Sequence, residues 1–196
     1  MGNTKVDDSQ NEPALVCAAR EGDKEALQQL LTRHWSWLKA LAYGVLGRAQ
    51  GLDDVMQDVC LRAITRIHTL REPECFRAWL AVLTRREALK YCQQKGRRPV
   101  EIEMDFEILE SMAQVEGPLE SLMQAEQCAR VFDAAEALPQ IYREVFMLAH
   151  SGELTYAQMA EVLDVPMTTM QIRLVRARRM VQQKVIGSSE HKVYER

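Results

Sequence analysis

The chain is 196 residues long, 47% apolar and 27% charged, with a formal net charge of −3 at pH 7, which admits one ordinary domain or two small ones with modest cores. No apolar run approaches the ~20 residues of a membrane span, no signal-peptide pattern is present, and five irregularly spaced cysteines argue against a disulfide framework. A cytoplasmic protein with reduced thiols and no direct membrane insertion is expected.

Residues 1–12 are polar and are expected to be a disordered N-terminus. Pro13 suits the first turn of a helix reaching about Arg20, closed by Glu21 and Gly22. Asp23 caps a longer helix, Lys24 to Leu46, where Leu27, Leu30, Leu31, His34, Leu38, Leu41 and Val45 recur at helical spacing beside Trp35 and Trp37. The segment Gly47 to Gly51 breaks it. A third helix, about Leu52 to Ile67, sets Leu52, Val55, Met56, Val59, Ala63, Ile64 and Ile67 on one apolar stripe. Asp54, Gln57, Asp58 and Arg62 lie away from that stripe, on a face that pattern alone leaves open between a docking surface and a solvated helix side. After a loop containing Pro73, a fourth helix from Phe76 to about Gln94 carries Phe76, Trp79, Leu80, Leu83 and Leu89 in its interior. Its far end is basic: Arg85, Arg86, Lys90, Lys95, Arg97 and Arg98 stand against Glu87 alone, with Tyr91 among them.

Residues 99–126 hold eight Asp/Glu and no Lys or Arg, which reads as an acidic linker. Helical periodicity resumes near Leu119, stops at Leu138 and Pro139, and restarts through Tyr142, Val145, Phe146 and Leu148 until Ser151 and Gly152. No strand alternation is sustained, so the expected fold is all-α: two small helical domains, 13–98 and 119–187, joined by an acidic linker at 99–118, with a tail at 188–196.

The second domain ends in a helix-turn-helix pattern. Thr155 and Gln158 form a capping-box pair, starting a short helix with Met159, Ala160 and Leu163 inside. Asp164, Val165 and Pro166 make the turn. Thr168 and Gln171 predict a second capping box, opening a helix with Met170, Leu174, Ala177 and Val181 on one face. The other face is basic, with Arg173, Arg176, Arg178, Arg179 and Lys184 and no acidic residue from Met167 to Gly187. A helix laid against phosphates requires such a face. Residues at the N-terminal end of a recognition helix meet base edges, which makes Thr168, Thr169, Gln171 and Ile172 the base-reading candidates.

The stretch from Leu154 to Arg179 resembles region 4 of extracytoplasmic-function (ECF) sigma factors of the sigma-70 family, and Leu138 to Leu148 resembles its lead-in helix. Asp53 to Ala63 resembles region 2.2, and Phe76 to Leu80 with the basic tail resembles regions 2.3 and 2.4. The resemblance implies a sigma factor: Asp54, Gln57, Asp58 and Arg62 would dock on core RNA polymerase. The 68–75 loop with Arg77, Trp79, Arg85, Arg86, Lys90, Tyr91 and Lys95 would engage the minus 10 element. Thr168, Thr169, Gln171, Ile172, Arg173, Arg176, Arg178 and Arg179 would read the minus 35 element. Promoter DNA, core polymerase and an anti-sigma factor are the implied partners.

Family members commonly carry Gly at Asp164 and Thr168, Lys at Gln171, Ser at Ile172 and Asn at Arg86, which leaves the promoter sequence open. Four isolated histidines offer no metal spacing, and no nucleophile-base motif or phosphate-binding glycine loop occurs, so no metal, cofactor or enzymatic activity is expected. Two other readings stand beside the sigma factor: a regulator using the helix-turn-helix alone, and a sigma mimic that titrates an anti-sigma factor.

Overall fold

A computed structural model describes residues 11–96 and 131–191 apart from 132, with side chains through residue 186. The expected disordered segment up to residue 10, Arg97 and Arg98, the acidic linker at 99–118 and the start of the helix near Leu119 lie outside these residues. Among the described residues all regular structure is helical: α1 (Glu12–Arg20), α2 (Lys24–Leu46), α3 (Leu52–Arg66), α4 (Phe76–Gln94), α5 (Gln140–Ser151), α6 (Tyr156–Leu163) and α7 (Met167–His191). Two single-turn 3-10 helices, Ile67–Thr69 and Pro73–Cys75, bend the chain from α3 into α4.

Local chemistry sets the boundaries. Pro13 fills the first turn of α1, and the Asp23 carboxylate accepts from the Ala26 amide at 3.0 Å, relieving an orphan donor of α2. Gly47 ends α2 in the left-handed region at φ +68°. Gly51, at φ +86°, must be glycine for a second reason: a Cβ there would collide with the Tyr91 ring.

Helices α1 to α4 form one bundle around Val16, Leu30, Leu38, Leu41, Met56, Phe76 and Leu80, all buried. The second bundle packs α5, α6 and α7 around Val145, Leu148, Met159, Met170, Leu174 and Ala177. The two are not separate beads, because their buried side chains belong to one continuous apolar cluster. The long α2 serves both, packing on α4 in its own bundle and on α5 in the other.

Three local expectations are corrected. Ile64 is 56% exposed rather than part of the inward stripe of α3, because the buried stripe runs through Val59, Ala63 and Ile67 and leaves Ile64 on its flank, one turn from the exposed Leu61. The last helix opens at Met167, so Thr168 lies inside its first turn rather than capping it; the Met170 amide bonds to the Pro166 carbonyl instead. Glu12, grouped with the polar terminal segment, is the buried first residue of α1.

Candidate functional site

On α3, Asp54, Gln57 and Asp58 are exposed as expected, and the same face continues through Leu61 and Ile64, exposed by 61% and 56%. Spacings of three and four residues stack these side chains along one side of the helix. Periodicity alone assigns Ile64 to the core and gives Leu61 no place on this face. Arg62 sits on the flank of that face and turns to α4, its Nε 3.1 Å from the Glu87 carboxylate.

Between α3 and α4 lies an open cleft of about 330 Å³ lined by Arg62, Arg66, Thr69, Trp79, Val82, Leu83, Arg86 and Glu87. Trp79 is neither fully in the core nor free: one side stacks on Phe76, with ring centroids 5.9 Å apart, and the indole also lines the cleft. Glu87 joins the rim charges, taking Arg62 on one oxygen and Lys90 on the other at 3.2 Å. The cleft thus combines an aromatic and aliphatic floor with a cationic rim. These are suitable parts for holding a flat, unstacked base and its phosphates. Arg66 and Thr69 belong to it by proximity that chain order could not reveal.

The other minus 10 candidates are placed differently. Tyr91 is half-buried against Gly51, and the Lys95 ammonium lies over its ring at 5.7 Å. Arg77 and Arg85 do not line the cleft; Arg77 bridges α1 and the second bundle, and Arg85 reaches the second bundle. Arg77 donates two bonds to Glu12 at 2.8 and 3.0 Å and reaches Glu153 at 3.1 Å; Arg85 donates to Glu144 at 2.8 Å. Burial pushes the Glu12 carboxyl up, but Arg77, His34 and Arg33 outweigh it and hold it below its ordinary value. The bond to Glu12 in turn raises Arg77 further.

In the second bundle the helix-turn-helix has the expected frame. Thr155 and Gln158 form a reciprocal capping box at the start of α6, and Asp164 turns the chain at φ +55°. That left-handed conformation gives the physical reason for the glycine common at this point in the family. Met170, Leu174, Ala177 and Val181 are buried, which directs the rest of α7 outward. Thr168 and Arg179 are exposed, while Thr169, Gln171, Ile172, Arg173 and Arg178 are half-buried. Arg176 is held against α5 by a 3.4 Å bond to the Tyr142 hydroxyl.

The sigma-70 region 2 family model matches residues 30–98, and the sigma-70 region 4 model matches residues 129–181. The chain is 28% identical over 178 residues to the ECF RNA polymerase sigma-E factor of Haemophilus influenzae, covering 88% of this chain and 94% of that one. It shares 28% identity with the ECF RNA polymerase sigma-E factor of Escherichia coli K12 across 87% of this chain and 92% of the relative. The chain belongs to the ECF sigma-70 family.

Solved structures agree on the fold of this ECF factor. CnrH, in complex with the cytosolic domain of CnrY, aligns with a TM-score of 0.62 at 24% identity, covering 90% of this chain and 97% of that one. The Bartonella quintana sigma factor RpoE, in complex with the anti-sigma factor NepR, aligns at 0.61 and 21% identity, covering 81% and 96%. As an ECF sigma factor the chain serves promoter-specific transcription initiation with RNA polymerase, and sigma factors are non-enzymatic initiation factors. No described helix is long and apolar enough to cross a membrane.

Proposed function

We propose that this ECF sigma factor divides promoter recognition among three surfaces. The exposed face of α3 docks on core polymerase: Asp54 and Asp58 meet basic side chains, Gln57 adds a hydrogen bond, and Leu61 with Ile64 extend the face as an apolar contact one to two turns further along. The cleft between α3 and α4 captures an unstacked base of the minus 10 element, with Trp79, Val82 and Leu83 beneath it and Arg66 and Arg86 on the phosphates. The α7 N-terminus reads the minus 35 element through Thr168, Thr169, Gln171 and Ile172, while Arg173, Arg178 and Arg179 hold phosphates.

One observation carries this reading. The docking helix and the base-sized cleft share α3, so polymerase attachment and strand capture are mechanically one unit. A regulator that used only its helix-turn-helix would need neither. The working parts are then a first domain at 13–98, an acidic linker at 99–118, a second domain at 119–187 and a tail at 188–196. The protein acts in the cytoplasm, performs no covalent chemistry, and is held in check by an anti-sigma factor, the kind of protein bound to the Bartonella relative.

The test is transcription by the purified protein with core polymerase on genomic fragments. Promoter-selective transcripts are expected, and their absence together with absent core binding overturns the reading. Reversing Asp54 and Asp58 together, Asp54→Lys with Asp58→Lys, is expected to weaken core binding in a pull-down while DNA binding through α7 stays intact. Equal loss of both would refute the division of labour.

A further inference from the structure

Packing fixes which side of α7 looks outward. Met170, Leu174, Ala177 and Val181 are buried against α5 and α6. At about 100° per residue the opposite side carries Thr168, Ile172, Val175 and Arg179. The helix opens at Met167, which stands at its tip, 49% exposed, with Gln171 and Val175 behind it at spacings of four. Thr168 is exposed beside it, and Gln171, Ile172 and Val175 are half-buried. Two adjacent rows therefore front the first turns of the helix, Met167 with Gln171 and Val175, and Thr168 with Ile172. The one cation between Met167 and Val175 is Arg173, which lies off both rows and is half-buried.

In the major groove, guanine is read by Arg or Lys donating to O6 and N7, and cytosine by a carboxylate accepting from N4. Neither kind of group stands on these rows between Met167 and Val175. What the rows offer is one amide and a set of methyl groups. The amide of Gln171 matches the N6 and N7 pair of adenine, and the methyls match the one apolar feature of the groove, the C5-methyl of thymine. Against cytosine the same surface would cover the N4 amino group with nothing to accept from it. We propose that this chain reads the minus 35 element through C5-methyl groups. Met167, Ile172 and Val175 pack on thymine methyls, Gln171 takes an adenine, and the methyl rather than a charged hydrogen bond separates thymine from cytosine. The inference rests on α7 being the minus 35 helix. Thr168, Gln171 and Ile172 are also where the chain departs from the residues common in its family, so this readout is its own.

The test uses holoenzyme reconstituted from the full chain and core polymerase, on a promoter fragment that it transcribes. The minus 35 segment is randomised and the bound fragments are sequenced. Each selected thymine is then replaced by deoxyuridine, which removes the methyl and nothing else. Thymines are expected in the selected element, with about a fourfold loss of affinity for each methyl contact removed. Cytosine at the same position is expected to bind more weakly still, and 5-methylcytosine to recover part of that loss. Ile172→Ser with Val175→Ser, checked for retained core binding, is expected to bind the thymine and deoxyuridine elements alike. Equal affinity of the parent holoenzyme for the two elements, or a selected element without thymine, overturns methyl readout and leaves the sigma-factor function standing; neither result depends on the variant. A core-competent variant that still tells the two elements apart overturns it as well. A holoenzyme that enriches no minus 35 sequence overturns the reading of α7, and the inference with it.

Discussion

His34 sits where three helices meet, and its hydrogen bond from Trp37 fixes its tautomer. Its Nδ1 accepts from the Trp37 indole at 3.0 Å, so the single proton of the neutral ring belongs on Nε2, which faces Glu12 at 3.2 Å. Burial holds its pKa below the ordinary 6.5, with Glu12 and Glu153 opposing and Arg77 assisting. Because the unfolded chain then binds the proton first, stability is lost as pH falls below about 6.5. Glu12, whose pKa is also lowered, adds a second loss near and below about 4.5 as its carboxylate is protonated. The thermal midpoint is expected to fall between about pH 7 and pH 5, and His34→Gln, which keeps an acceptor for Trp37 but does not titrate, should flatten that fall. Arg143 poses the opposite problem, a cation buried among carbonyls, with burial drawing its pKa down. Arg143→Met strips donors from the Gly44, Glu136 and Leu138 carbonyls, each left acceptor costing about 1–3 kcal/mol unless water reaches it. Calorimetry should show a large drop in melting temperature, only partly recovered in Arg143→Lys, which lacks the fork.

At the scale of the helix, function depends on which face the core leaves free. The exposed end of α3 predicts that Leu61→Asp with Ile64→Asp weakens core polymerase binding while shifting unfolding free energy by no more than about 0.5 kcal/mol per site, as expected of surface positions. The outer face of α7 predicts that Arg178→Ala with Arg179→Ala lowers the salt slope of duplex binding by up to about 1.8, or ~0.9 per phosphate contact, with little change in sequence preference. At the turn before α7, Asp164→Gly should be neutral or stabilising, whereas Asp164→Val should cost about 1–2 kcal/mol by forcing a branched side chain into the left-handed region. Most helix limits were legible because caps and glycines act locally: Asp23, Gly47, Thr155 and Gly152 end or begin helices where the sequence put them. The errors fall where a local rule was outvoted. Ile64 has the composition of a core residue but lies on the flank of a stripe whose buried positions, Ala63 and Ile67, stand on either side of it in sequence. Thr168 has a good cap partner in Gln171, yet the helix already runs from Met167.

For the whole molecule, the charges that sequence assigned to DNA are sorted by packing into open and occupied sets. Arg86 faces the cleft, Arg62 joins it while pairing with Glu87, and Arg77 and Arg85 pair with acids from distant segments. The Tyr43 hydroxyl adds another link between the bundles: burial and a hydrogen bond to Glu136 push it up to about 12. Composition and periodicity by themselves determined that the chain is helical, where most helices run, and that an α7-like basic helix follows a capped short one, because each follows from spacing within a few residues. The family motifs lie in those same short stretches and were readable for the same reason. Only tertiary structure decided that Arg66, Thr69 and Trp79 share a cleft, and that Glu144 and Glu153 find α4. Those facts depend on contacts between residues tens of positions apart, and no local pattern encodes which of several similar arginines an acid will reach.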